Sequence, residues 1–216
     1  VPVSRAADTP FALGVPAAPK GEIDRIVFSQ LERIGIQPAQ PCTDAVFLRR
    51  AYLDLCGTVP TAAETREFLA DRQPDRRERL VDRLLASPAY GERWGRYWLD
   101  VARYAESNGR ESNLTFPHAW RFRDYVVRAF NADKPYARFV QEQVAGDVLF
   151  QHDPMATVAM GFIASGPWDE SSLRDIREDT LDRAIGRYLD RDDMVSTVIG
   201  TLCSVTIHCA RCHNHK

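Results

Sequence analysis

Apolar residues recur at intervals of three and four along most of the chain. In the first such stretch, after Glu22, the repeat consists of Ile23, Ile26, Val27, Leu31 and Ile34. This spacing places the side chains on one face of an α-helix, and Gly35 then supplies a stop signal. No segment alternates convincingly with the period of two that is typical of a half-buried strand. The pattern predicts an all-α fold, an irregular multi-helix domain with long connections.

Turn residues and N-cap residues divide the remaining pattern into further helices. A second helix is predicted to begin at Thr43 or Asp44 and to end at Gly57, and a third runs from Thr61 to Leu69. Further helices are predicted over 75–86 and 89–106, from 115–117 onward, over 133–146, from 153–154 onward, over 171–189 and over 190–208. The longest connections are 107–116 and 166–171. Residues 1–21 contain four prolines and no apolar period, so we expect a linker over 1–21 and a helical domain over 22–216.

Composition and charge exclude several classes of partner. The chain has 216 residues with 28 basic and 30 acidic side chains, which gives a net charge of −2. A protein that binds nucleic acid through its surface charge carries a basic excess, which is absent here. The mean hydropathy is −0.34, and no run approaches the length of a membrane span. We therefore expect no nucleic-acid partner and no membrane span.

Three of the five cysteines lie within ten residues of one another, and two of them belong to a recognisable motif. Cys209, Cys212 and His213 have the Cys-x-x-Cys-His spacing that attaches c-type haem. On one helical turn these positions share a face, so both thiols reach the haem vinyl groups while the imidazole lies under the iron. The sequence therefore predicts a covalent haem c held by Cys209 and Cys212, with His213 as the iron ligand.

Two other interpretations of this segment stay open at the sequence level. It offers six nitrogen or sulfur donors within thirteen residues, which is enough for a tetrahedral zinc site; they are Cys203, His208, Cys209, Cys212, His213 and His215. Zinc sites normally draw their ligand pairs from separate segments, so haem is favoured over zinc. The third alternative is that the thiols are free or form disulfides.

The sequence does not select a sixth iron ligand, and the iron is also able to remain five-coordinate. The chemically competent side chains elsewhere in the chain are Met155, Met160, Met194, His118 and His152. Cys42, Cys56 and Cys203 are expected to be separate buried thiols. Haem is attached to thiols after export, so the haem interpretation predicts an exported protein, periplasmic or at the cell surface.

A second group of candidate residues combines arginines, aromatic rings and carboxylates on helical faces. Its members are Arg93, Arg96, Asp100, Arg103, Tyr104, Trp120 and Arg121. Such side chains suit contacts with haem propionates, a carbohydrate or another polar substrate. The simpler and favoured interpretation is an ion-pair network that joins helices. No spacing identifies a nucleophile or a general acid and base, so catalytic residues stay unassigned.

Ten short segments between residues 23 and 216 resemble one family, the planctomycete cytochrome-associated domain of unknown function. The most specific is Cys209-Ala210-Arg211-Cys212-His213-Asn214-His215-Lys216, and the others are 23–25, 54–61, 80–88, 90–94, 98–104, 119–121, 124–126, 133–136 and 146–147. Cys56, Val59 and Cys203 depart from the family pattern. The resemblance covers nearly the whole predicted helical domain.

The resemblance implies an exported, haem-linked redox role in bacteria that often degrade complex polysaccharides. It also implies a cytochrome-c-like domain before this one and a second domain after it in the same polypeptide, so we expect the chain to be a segment of a longer protein. The leading hypothesis is a haem c domain with an electron-transfer or oxidoreductase role. The alternatives are a glycan-binding or glycan-acting helical module, and a structural domain stapled by zinc or thiols.

Overall fold

The structure is a computed structural model that describes residues 17–107, 115–166, 173 and 175–214. In this part of the chain every regular element is helical, and Ser107 and Thr115 form an isolated antiparallel bridge. The all-α prediction is therefore confirmed. The helices are α1 (Glu22–Arg33), α2 (Asp44–Cys56), α3 (Ala62–Ala70), α4 (Arg76–Leu85), α5 (Pro88–Val101), α6 (Trp120–Asn131), α7 (Tyr136–Leu149), α8 (Pro154–Ala159), α9 (Gly161–Ala164) and α10 (Leu181–Cys203), followed by a 3-10 turn, His208–Arg211.

Several helix boundaries in the second half of the chain differ from the sequence prediction. The helices predicted over 171–189 and 190–208 correspond to one helix, Leu181–Cys203. The helix predicted over 89–106 ends at Val101, and Arg103 just beyond it takes a left-handed backbone conformation with φ of 57°. The predicted division at 189–190 is wrong, because α10 runs through it without a break. Much of the predicted connections 107–116 and 166–171 lies outside the described residues. No described helix is long and apolar enough to cross a membrane.

The chain divides into two compact units, Val1–Leu84 and Leu85–Lys216. In the first, α2, α3 and α4 bury Leu48, Tyr52, Phe68, Leu80 and Leu84. The Nε of Arg77 in α4 donates to Asp44 Oδ1 in α2 at 2.8 Å. The predicted linker boundary after residue 21 stays a prediction, since residues 1–16 lie outside the described part.

The second unit is built on an aromatic core that α5, α6, α7, α8 and α9 share. The buried cluster comprises Ala102, Phe122, Tyr125, Val126, Ala129, Phe139, Ala159 and Phe162, with Trp98 packed against it. α5 lies close to α6 because Gly91 has no side chain: a Cβ there would fall 2.5 Å from the Val127 carbonyl oxygen. The Gly91 amide instead donates to Asn131 Oδ1 at 2.8 Å.

Two adjacent polar residues of α7, Glu142 and Gln143, lie inside this core, each only 1% exposed. The Glu142 carboxylate accepts from the Tyr125 hydroxyl at 2.6 Å, from Arg138 Nε at 2.6 Å and from the Lys134 ammonium. Gln143 Oε1 accepts from the indole nitrogen of Trp98 at 2.6 Å. A buried carboxylate is tolerated when its oxygens are hydrogen-bonded and its charge is paired, and both conditions hold here.

Burial and the neighbouring hydrogen bonds shift the pKa of Glu142 in opposite directions. Burial raises the pKa of this carboxyl, but the hydrogen bonds from Lys134, Tyr125 and Arg138 outweigh it and leave the pKa below the ordinary value. Burial, reinforced by the bond to Glu142, raises the pKa of Tyr125. A carboxyl whose pKa is lower in the folded state than in the unfolded state stabilises the fold at every pH above its unfolded-state pKa. This stabilisation is lost as the pH falls through the folded-state pKa.

Replacing Glu142 with Gln removes the charge and leaves Lys134 and Arg138 without their counter-ion. We expect the free energy of unfolding, measured by urea titration at pH 7, to fall by about 3 kcal/mol. The matched control is Glu106→Gln, because this exposed carboxylate also binds a tyrosine and an arginine; its cost is expected to stay below about 1 kcal/mol. Acidification below the ordinary glutamate pKa should lower the free energy of unfolding more in the wild type than in Glu142→Gln. An equal decrease in both proteins would contradict this role for Glu142.

Candidate functional site

The Cys-x-x-Cys-His motif lies just beyond the end of α10. The helix stops at Cys203 because Ser204 adopts a left-handed conformation with φ of 54°. After four non-helical residues, the chain forms a single 3-10 turn over His208–Arg211. This turn supports the motif: the amides of Cys212 and His213 both point to the Cys209 carbonyl oxygen, at 3.2 and 3.4 Å. The motif is thus a compact local structure rather than an extended strand of chain.

The side chains that the sequence assigned to haem are accessible. Cys209, Cys212 and His213 are exposed, and none of the five cysteines forms a disulfide. Cys56 is buried as expected and Cys42 is half-buried, but the prediction of a buried thiol is wrong for Cys203, which is exposed. Its position at the exposed end of α10 explains the difference. The two motif thiols are therefore open to reaction.

The imidazole of His213 is held by a single hydrogen bond. Its Nδ1 lies 2.7 Å from the backbone oxygen of Asn214. A carbonyl oxygen only accepts, so the hydrogen resides on Nδ1 and the lone pair resides on Nε2. Histidines that bind a metal commonly fix their tautomer in this way. In the neutral ring, Nε2 is thus the nitrogen of His213 with a lone pair available to bind a metal.

Arg211, between the two cysteines, connects the motif to α10. Its guanidinium lies 5.4 Å from the ring centre of Tyr188, and its Nη1 lies 3.7 Å from an oxygen of Asp192. Tyr188 and Asp192 are four residues apart, so they occupy the same face of the helix. The sequence pattern did not indicate this contact, because the predicted division at 189–190 placed Tyr188 and Asp192 on two different helices.

Apart from Asp192, the face of α10 that receives Arg211 carries exposed apolar side chains. Leu181 is 75% exposed and Val195 is 55% exposed, and Ile185 and Tyr188 lie between them on the same stripe. Ser196 is the one fully buried residue of this 23-residue helix. Apolar side chains grouped on one exposed face mark a surface that another apolar group covers. The motif therefore lies beside an apolar surface.

The geometry gives no support to the zinc alternative in the described residues. Nowhere in that part of the chain do three His, Cys, Asp or Glu side chains converge on a common point. One of the six candidate donors, His215, lies outside it. Haem c requires fewer protein donors to converge on the metal, since its two cysteines bond to carbon and only one imidazole approaches the iron. Cys209, Cys212 and His213 are the donors that a haem c would use.

Two of the candidate sixth ligands have partners elsewhere in the second unit. The sulfur of Met160 lies 3.4 Å from the Asp147 amide, and that of Met155 lies 3.9 Å from Arg128 Nη2. No contact connects either sulfur with the motif in the described residues. The sixth ligand stays unassigned.

The second predicted group does not form one cluster. Arg93 stacks over Tyr97 at 4.6 Å, while Arg96 and Asp100 are exposed. Trp120 is exposed beneath the guanidinium of Arg121, at 5.6 Å. No side-chain hydrogen bond or ion pair among the described residues joins these two places.

The remaining two members of that group, Arg103 and Tyr104, have separate partners. Arg103 forms an ion pair with Asp193 of α10. The Tyr104 hydroxyl donates to Glu106 at 2.9 Å, and Arg123 Nη1 binds the same carboxylate oxygen at 2.6 Å. Burial, with the bond to Glu106, raises the pKa of Tyr104 to about 12. Their role in contacting a propionate or a substrate stays a prediction.

Comparison with known proteins places the chain in a family. The model of the PSCyt2 family, described as "Protein of unknown function (DUF1549)", matches residues 22–216. The chain belongs to this family. No curated protein and no solved structure shows significant similarity to it. The match spans both compact units and includes the Cys-x-x-Cys-His segment, and the family description assigns no activity to PSCyt2 domains.

The contact of Arg211 with α10 is testable by Arg211→Gln. Loss of the ring contact and the ion pair should release the turn, so we expect backbone amides over 208–213 to exchange hydrogen several-fold faster. Because the pair is partly exposed, the melting temperature should fall by less than about 3 °C. Arg177→Gln, which removes an exposed ion pair with Asp179, is the control. Unchanged exchange over 208–213 in Arg211→Gln would show that the contact does not hold the motif.

Proposed function

We propose that this PSCyt2 domain carries a covalent haem c and has a redox role, in electron transfer or as an oxidoreductase, within an exported protein. The observation that carries the proposal is the motif itself: two exposed thiols and an imidazole with a free Nε2, all on one supported turn. Zinc and disulfide interpretations use the same residues but draw no support from their arrangement.

The attachment chemistry needs only groups that this chain and haem provide. Each cysteine adds its S–H across one vinyl double bond, so one carbon–sulfur bond forms and the thiol hydrogen passes to the neighbouring carbon. Cys209 and Cys212 then hold the group at two points. When bound, haem supplies a reversible one-electron iron couple.

The protein residues around the motif would orient the group. His213 offers Nε2 to the iron while Asn214 fixes the ring through Nδ1. Arg211 ties the turn to α10 through Tyr188 and Asp192. The apolar stripe of α10 next to this contact is suited to lie against a porphyrin, whose faces are apolar. Burial beside such a surface is one of the means by which a protein tunes a reduction potential.

The localisation and the partners follow from the same proposal. Haem is attached outside the cytoplasm, so the protein is proposed to be periplasmic or at the cell surface. Its expected redox partners are neighbouring domains of the same polypeptide, a cytochrome-c-like domain and a C-terminal domain. A link to polysaccharide degradation rests on the family resemblance alone. No contact in the described residues selects a glycan-acting role at Arg93, Arg96, Asp100, Trp120 or Arg121.

Expression with export and a cytochrome c maturation system tests the proposal. We expect the purified chain to gain the mass of one haem and to show a haemochrome spectrum after denaturation. The double variant Cys209→Ser, Cys212→Ser should lose both signals and still fold. Cys203→Ser, an exposed cysteine outside the motif, should keep them. The reduction potential of the loaded protein then measures its redox competence.

Two results would argue against haem. Stoichiometric zinc in place of the haemochrome signal would favour the alternative of a structural zinc site. Unfolding of the double serine variant in the absence of any cofactor would show that the thiols serve the fold rather than a redox group.

A further inference from the structure

A cavity of about 270 Å³ opens in the second unit where α5, α6 and α7 converge. Five of its lining residues are aromatic and one is acidic: Tyr90, Trp98, Phe130, Tyr136, Phe139 and Asp133. Its volume lies near the lower end of the range for small-molecule pockets. None of these residues belongs to the haem motif or to the second group of predicted site residues.

The deeper aromatic walls of this pocket are fixed by their own contacts. Trp98 is oriented by its hydrogen bond to Gln143, and its ring lies edge-on to Phe139 at 4.9 Å. Phe139 is also in edge contact with Phe130 at 5.8 Å. Side chains held in this way lose little conformational freedom when a ligand binds, so the pocket is preformed.

The acidic residue at the pocket is held by a tight turn between α6 and α7. The Asp133 amide donates to the Phe130 oxygen at 3.1 Å, and the Lys134 amide donates to the Ala129 oxygen at 3.0 Å. This turn requires a left-handed conformation at Asp133, with φ of 47°, which aspartate tolerates better than most residues. The backbone therefore places a carboxylate at the aromatic pocket.

Two charged residues line the pocket, Asp133 and Lys134. The Lys134 ammonium pairs with Glu142 and lies 4.8 Å from the ring centre of Tyr125. The Asp133 side chain has no hydrogen bond or ion pair with any described residue. A carboxylate without a partner in the described residues thus lies beside several aromatic rings, whose faces are also electron-rich.

We propose that this pocket binds an organic cation of the alkylammonium class. Aromatic faces attract such a cation through their quadrupole, and a nearby carboxylate adds a direct Coulomb attraction. A neutral ligand of the same shape, such as a sugar ring, gains from the aromatic surface but not from the charge on Asp133. The ammonium group comes either from a free amine or from a lysine side chain of another protein.

Titration of the 216-residue chain with tetramethylammonium tests the pocket. Binding is followed by calorimetry and by the NMR signal of the Trp98 indole N–H, which is expected to shift. We expect tert-butyl alcohol, a neutral molecule of similar shape, to bind about tenfold more weakly. A capped lysine peptide separates the two sources: tighter binding than tetramethylammonium supports a protein side chain, and weaker binding supports a free amine.

Variants of the pocket residues separate the contribution of the charge to binding from that of the aromatic rings. Asp133→Asn keeps a residue that tolerates the left-handed turn and is expected to weaken binding about tenfold. Tyr136→Ala removes a ring that is 63% exposed and should weaken binding several-fold without unfolding the protein. Phe116→Ala, which removes an exposed aromatic ring outside the pocket, should leave the affinity unchanged.

Three outcomes would overturn the proposal. They are unchanged affinity in Asp133→Asn, equal binding of the neutral alcohol, and saturable binding of a methyl glucopyranoside that Tyr136→Ala abolishes while cations do not bind. The last result would identify a carbohydrate pocket instead. The assay needs no haem, so its result is independent of the proposed redox role.

Discussion

The second unit of this protein depends on one buried carboxylate and the amide next to it. Glu142 is enclosed by Tyr125 from α6, Lys134 from the turn and Arg138 from its own helix. Gln143 extends the same arrangement to Trp98 of α5. A buried carboxylate without partners carries a large desolvation penalty, so the helices that supply its donors must assemble together. The aromatic core closes around these two polar side chains.

This constraint also shapes the aromatic pocket. Trp98 reaches the pocket wall in the orientation that Gln143 imposes, and Lys134 is drawn toward Glu142. That ammonium pairs with Glu142 and makes no ion pair with Asp133 next to it. The electrostatic character of the pocket is therefore a consequence of how the core satisfies its own buried charge.

The Cys-x-x-Cys-His motif is held by different interactions from those of the core. It has no buried network: a short turn, one imidazole hydrogen bond and the Arg211 contact with α10 hold it. The apolar stripe from Leu181 to Val195 is exposed beside it. Arg211 brings the exposed motif against this face of α10. A core with a buried polar network and a lightly held surface motif thus coexist in one PSCyt2 domain.

The sequence by itself determined the helical class, most helix positions and the spacing of Cys209, Cys212 and His213, because these are local properties of neighbouring residues. It also misjudged local features that depend on distant contacts. The division it predicted at residue 189 is absent, and Cys203 is exposed rather than buried. Only the tertiary structure decided that Glu142 is buried, that Arg211 reaches Tyr188 and that Asp133 remains unpaired. Each of these depends on which side chains from other elements come within hydrogen-bonding or van der Waals distance, and periodicity along the chain carries no such information.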